Sequence, residues 1–221
     1  MKKIIILLTL ILFPLSLASQ TRETAIWSYL SLTHSFNQKW TASTQAEFRT
    51  GHDNKDLYLF YIDGNAKYQI NNWVAAHLGF DYIKIHSYAT SQRGSVWRTD
   101  IRPYVAATFN WTMGPLRANL NESVAYNWLP EMEKDGVLIN GKSYYLVKHR
   151  LVMEYPIPNS RFRPLVKFEL RDTKKLERVR FTLGTNIKVS DQSTLEVCYV
   201  YQDKHSSTKT HALSLGYKIR I

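Results

Sequence analysis

Between Lys39 and Thr50 apolar and polar residues alternate with a period of two. Trp40, Ala42, Thr44, Ala46 and Phe48 fall on one side, and Lys39, Thr41, Ser43, Gln45, Glu47 and Arg49 on the other. Residues 161–171 repeat the pattern, with Phe162, Pro164, Val166, Phe168 and Leu170 opposite Arg161, Arg163, Lys167, Glu169 and Arg171. Successive side chains of an extended strand point to opposite faces, so each segment builds a ribbon with one greasy and one ionic side. The same test finds eleven segments, near residues 25–36, 39–50, 56–70, 73–86, 95–111, 115–128, 143–156, 161–172, 176–189, 193–203 and 209–221. Many exceed the five or six residues usual in soluble sheets and reach the ~10 that a tilted strand needs to cross a bilayer.

Short connections, at Asn37 and Gln38, Asn71 and Asn72, Met113 and Gly114, Pro158 to Ser160 and Ser190 to Gln192, alternate with more polar ones. The latter are Gly51 to Lys55, Ser87 to Gly94, Pro130 to Lys142, Thr173 to Lys175 and Lys204 to Thr208, with Pro130 to Lys142 the expected outer loop. Tight turns at one rim and longer loops at the other describe an all-β, antiparallel up-and-down transmembrane β-barrel with a polar, charged lumen. A barrel with both ends at one rim has an even number of strands. Because residues 25–36 alternate least regularly, about ten strands are expected, with twelve as the alternative.

The first residues carry Met1, Lys2 and Lys3, an apolar run from Ile4 to Leu12, and then small residues at Ser16, Ala18 and Ser19. This is the pattern of a cleaved secretory signal, too short for a spanning helix. Residues 1–19 are therefore assigned to a signal peptide and 20–221 to an outer-membrane barrel domain. Only helices and closed barrels satisfy their backbone within lipid, and no second apolar segment exists. Cys198 is the only cysteine, so no internal disulfide contributes. The formal charge of +11 would suggest nucleic acid in a cytosolic chain; export excludes that partner. Outer-membrane lipid, lipopolysaccharide phosphates or an anionic small solute fit instead.

Following the phase, the ionic face carries Glu47, Arg49, Asp63, Lys67, Arg98, Asp100, Arg102, Lys148, Arg150, Glu154, Lys167, Glu169, Arg171, Arg178 and Arg180, together with Asp81, Glu196 and Lys218. Interleaved arginines and carboxylates on neighbouring strands are placed to pair across the lumen. The tryptophans Trp27, Trp40, Trp73, Trp97, Trp111 and Trp128 lie at or near segment ends, as two aromatic girdles at membrane interfaces require. Glu122 breaks the pattern of an apolar face nearly free of charge, predicting a bulge near Asn121 or a position near an interface. Leu213, Leu215, Tyr217, Ile219 and Ile221 are in phase in a strand that ends the chain, as in barrel proteins.

The opening Lys39-Trp40, the segments RTDIRPY, KHRLVMEY and KLERVRF, and the terminal HALSLGYKI together resemble the domain-of-unknown-function family 2490, a group of exported β-barrel proteins. The resemblance spans essentially the whole mature chain. It implies an outer-membrane location and no activity.

Catalytic and metal signals are weak. His34 and Ser35 are adjacent on a strand, so they point to opposite faces and cannot act as a nucleophile and base pair. His205 and His211 flank Ser206 and Ser207 without a hydrolase spacing, and the seven histidines match no zinc or calcium pattern. No metal or cofactor is expected. The preferred role is a structural or binding barrel with a salt-bridged lumen; a narrow anion-preferring pore is the alternative, and a lipid-modifying hydrolase the second alternative.

Overall fold

The computed structural model describes residues 22–221 except 52–55, 88–95, 130–131, 135–136, 140 and 205–208. The expected signal peptide lies outside the described residues, as do His52 and His205. The strands are β1 (Arg22–Ser35), β2 (Trp40–Gly51), β3 (Asp56–Gln69), β4 (Val74–Ser87), β5 (Val96–Met113), β6 (Leu116–Leu129), β7 (Met132–Lys134), β8 (Val137–Ile139), β9 (Lys142–Glu154), β10 (Phe162–Asp172), β11 (Leu176–Lys188), β12 (Ser193–Lys204) and β13 (Lys209–Arg220). β7 and β8 pair with each other inside the connection from β6 to β9. The other eleven form one closed barrel.

Consecutive barrel strands are antiparallel, whereas β1 and β13 close the ring in parallel from Arg22↔Lys209 to Thr33↔Arg220. The expectation of ten or twelve strands is thus corrected to eleven. An even count follows only if the closing pair is antiparallel; a parallel pair closes an odd number. The irregular first segment is a full strand because it is hydrogen-bonded on both sides, to β2 and to β13, which outweighs its weak alternation. Parallel closure also places the start of β1 at the rim of the longer connections and the end of β13 at the rim of the tight turns.

Two tight turns are built the same way. The Asn37 side-chain oxygen accepts from the backbone N–H groups of Lys39 (2.8 Å) and Trp40 (2.9 Å), and Asn71 accepts from Trp73 (2.8 Å) and Val74 (2.9 Å). A short polar side chain thereby supplies the acceptor that the reversing backbone lacks. Gly114 turns the chain between β5 and β6 with φ of +58°, a conformation that costs a residue with a Cβ. Register shifts occur at Arg49/Thr50 and Arg171/Asp172, both toward the loop rim.

The greasy faces point outward: Leu78, Phe80, Val105 and Tyr145 are all exposed. The enclosed side holds Glu47, Asp81, Asp100, Arg102, Glu169 and Glu196, all buried. Inside, glycines make room for aromatic rings on the adjoining strand. Gly216 pairs with Tyr29, and a Cβ at 216 would run into that ring; a Cβ on Gly79 would lie 2.6 Å from the Tyr104 hydroxyl. The Tyr29 ring therefore covers the seam where the barrel closes. Replacing Gly216 with Val is expected to lower the unfolding free energy by about 1–3 kcal/mol, the usual cost of overpacking. Adding Tyr29→Ala should restore part of that loss in urea titrations of vesicle-refolded protein, whereas strictly additive losses would mean that the two residues do not meet.

Candidate functional site: a cation-rich lumen

Strand register brings the ionic faces together as rows. Across β9, β10, β11 and β12 one row reads Arg150, Glu169, Arg180, Gln202. Arg180 Nη1 lies 3.4 Å from Glu169 Oε1, and its Nη2 donates to Gln202 Oε1 at 2.7 Å. The neighbouring row toward the loop rim is Lys148, Arg171, Arg178, Lys204, four cations directly opposite one another on successive strands. Like charges in such positions repel. Their carboxylate contacts among the described residues are long, Arg171 to Glu169 at 4.0 Å and Arg178 to Glu177 at 3.8 Å. The Nε atoms of Arg171 and Arg178 are buried without a hydrogen-bond acceptor among the described residues.

The other lumen carboxylates are held more closely. Arg49 Nε donates to Glu47 at 2.7 Å. Asp100, fully buried, accepts from Arg98 and from Arg102, each at 2.9 Å. Arg102 also reaches the Asn127 side chain across the place where Pro103, which has no N–H, interrupts the ladder to β6. Glu196, only 2% exposed, accepts from Lys167 at 2.5 Å and from Lys218 at 2.6 Å. Glu154 accepts from Asn186 at 2.6 Å, with Arg163 at 3.8 Å. Asp63 and Asp81 are directly opposite, and each is held by a phenol: Tyr104 donates to Asp63 at 2.7 Å and Tyr61 to Asp81 at 2.8 Å. Lys67, Lys148 and Arg150 project into the lumen with no carboxylate ion pair among the described residues.

Among the described residues these side chains line three chambers of the interior. The one toward the loops, of about 120 Å³, is lined by eight lysines and arginines against four carboxylates. Below it lie one of about 160 Å³ and a larger one of about 460 Å³ toward the tight turns, where Ser31, Thr33, Thr41, Ser43, Asn65 and Asn121 contribute hydroxyls and amides and five lysines and arginines face Asp63. Gln45 and Arg150 line all three.

Trp27 is corrected by the structure. It is 4% exposed and faces inward, with the Arg49 guanidinium 4.0 Å from its ring centre and that of Arg180 at 4.8 Å. Its position near a strand end suggested a girdle, but its parity, shared with Ala25 and Tyr29, decides the face. Trp40, Trp97, Trp111 and Trp128 do face outward, at 39% to 51% exposure, and Trp73, 61% exposed, lies in the turn before β4. Trp40, Trp73 and Trp111 stand at the tight-turn rim, and Trp97 and Trp128 at the loop rim. Tyr61 and Tyr104 are lumen residues that a girdle reading of tyrosines passes over; their phase with Asp63 and Arg102 is the signal that finds them.

No register shift occurs at Asn121, so the expected bulge is absent. Glu122 faces outward, hydrogen-bonded to His149 on β9, whose other ring nitrogen lies 3.8 Å from Asp172. His34 binds the Ile221 carbonyl at 2.9 Å and is used in closing the seam.

Residues 24–212 match the profile of a family described as proteins of unknown function, DUF2490. The chain belongs to that family. A search of curated proteins finds no match for this DUF2490 barrel. Among solved structures it is similar to the translocator domain of the autotransporter NalP from Neisseria meningitidis, at 10% identity and a TM-score of 0.57, covering 77% of this chain and 72% of that one. The NanC porin is similar at 14% identity and a TM-score of 0.53, covering 84% and 89%. The β domain of the Bordetella autotransporter BrkA gives 12%, 0.50, and 78% and 79%. At these identities the likeness is one of fold: the DUF2490 chain has the architecture of outer-membrane β-barrels.

Removing one shared acceptor tests the ionic lattice of the DUF2490 barrel. Glu196→Ala leaves Lys167 and Lys218 without their carboxylate and is expected to cost roughly 2–3 kcal/mol, below a fully buried pair because Lys218 is partly wet. Asp191→Ala, which breaks an exposed pair with Lys188, should leave the urea midpoint unchanged.

Proposed function

We propose that the protein resides in the outer membrane as a barrel that binds small anions in a lumen closed by its own ion pairs. The observation that carries this reading is the belt around Trp27. Arg49 and Arg180 both stack on the indole, Glu47 and Glu169 hold them, and the same belt lines both the loop-side and the middle chamber. A ring and two guanidiniums fill a narrow barrel at that level, and the twofold cationic surplus in the loop-side chamber sets the sign of what enters. Export through the signal at residues 1–19 and the outward tryptophans support the location. Lysine or arginine facing lipid would cost roughly 2–4 kcal/mol at mid-bilayer, which the enclosed ionic face avoids.

The second reading, a narrow anion-preferring pore, is favoured by the succession of chambers along the lumen, all three lined by Gln45 and Arg150 and all with more cations than carboxylates. Planar-bilayer recording separates the two. The wild type is expected to show no steady steps, and Trp27→Ala, which empties the belt while keeping its charges, to open anion-selective ones. Steady anion-selective current from the wild type would replace the closed barrel with the pore.

The orientation has its own test. In variants retaining a single tryptophan, brominated lipid should quench Trp40, Trp73, Trp97, Trp111 and Trp128 and spare Trp27. Quenching of Trp27 alone would invert the inside and outside of the barrel.

A further inference from the structure

The row Lys148, Arg171, Arg178, Lys204 is not explained by a closed salt-bridged lattice. Four cations stand side by side on successive strands, the arrangement that cross-strand electrostatics disfavours most. The neighbouring row toward the tight turns sets Glu169 between Arg150 and Arg180; this row contains no carboxylate of its own. Glu169 is nearest to Arg171, but it is engaged more closely by Arg180. Glu177 meets only Arg178, from a position at the rim. Lys204 turns to a phenol, donating to the Tyr58 hydroxyl at 3.3 Å and lying over its ring. Two guanidinium Nε–H groups, on Arg171 and Arg178, are buried with no acceptor among the described residues. A buried donor left unpaired costs on the order of 1–3 kcal/mol, more when charged; Glu169 Oε1 and Glu177 Oε2 nearby are likewise buried without a hydrogen-bond partner among the described residues, so neither carboxylate satisfies these donors and the row can take a further acceptor.

We infer that this row is a binding site for a phosphate group, held between Arg171 and Arg178 with Lys148 and Lys204 at its ends. The inference rests on the anion-binding reading of the lumen and gives it a ligand class. A phosphate carries up to two negative charges on oxygens that face several directions, so it can accept from two guanidinium forks at once. A carboxylate offers one charge and two oxygens. All four side chains line the loop-side chamber, whose volume of about 120 Å³ suits an inorganic phosphate or the terminal phosphate of a larger solute. Free phosphate and a lipopolysaccharide phosphate share this chemistry. The chamber lies inside the barrel wall, so the site is reached from the loop rim rather than sideways from the bilayer.

Calorimetric titration of the full refolded barrel with inorganic phosphate, at constant ionic strength set with chloride, tests this. Saturable binding with one phosphate per chain is expected. Arg171→Gln with Arg178→Gln should weaken it at least tenfold, whereas Arg171→Lys with Arg178→Lys should recover part of the affinity. Lys188→Gln, in an exposed pair at the tight-turn rim, should leave it unchanged. Heat-modifiable migration on gels identifies variants that remain folded. Competition by lipopolysaccharide vesicles would assign the phosphate to lipid, and its absence to a free solute; either supports the site. Phosphate binding that survives the double glutamine change in a folded barrel, or no saturable binding of either source to the wild type, overturns it. Steady wild-type current would defeat the closed-lumen reading without touching this result, so the two fail separately.

Discussion

The parallel ladder between β1 and β13 is the contact on which the other features depend. Without it the sheet has two free edges, each a row of unpaired N–H and C=O groups that neither hydrocarbon nor water-poor lumen can satisfy. With it, every strand of the ring has two neighbours and the sheet acquires an inside. Inside is then defined for all eleven strands at once by the alternation of their side chains. Trp27 and Tyr29 lie on the closing strand itself, so the seam supplies both the ring that fills the belt and the ring that covers Gly216.

Enclosure changes what charge can do. On an open solvated face, interleaved arginines and glutamates contribute little, because water screens them. Within the ring the same residues are brought opposite one another on three or four strands, and a carboxylate such as Glu196 or Asp100 serves two cations. The outer surface shows the converse. There Glu122, His149 and Asp172 place a histidine between two carboxylates, so that each of these two carboxylates has a partner beside it.

The functional reading follows from imbalance rather than from pairing. A lattice whose charges cancelled would be a plug and nothing more. This lumen has excess cations at both ends, eight against four carboxylates around the loop-side chamber and five against Asp63 around the wider one toward the tight turns, together with donors that lack acceptors among the described residues. In the proposed reading, charge sets the sign of what enters and the belt at Trp27 limits what goes further.

Strand positions were readable from the sequence because alternation is local: each ribbon declares its two faces within ten residues, and the segment expected at 161–172 is the strand Phe162–Asp172. The ionic face was legible for the same reason, from Glu47 to Arg180. Strand number was not, since it depends on whether the two ends of the chain meet parallel or antiparallel, a contact between distant segments with no local signature. Trp27 was misjudged because closeness to a strand end is a weaker guide than parity, and parity is hard to read where alternation is irregular. The alignment of Lys148, Arg171, Arg178 and Lys204 belongs to the tertiary structure alone. Sequence assigns each of them a face, but only register, set by hydrogen bonds between four separate strands, puts them in one row.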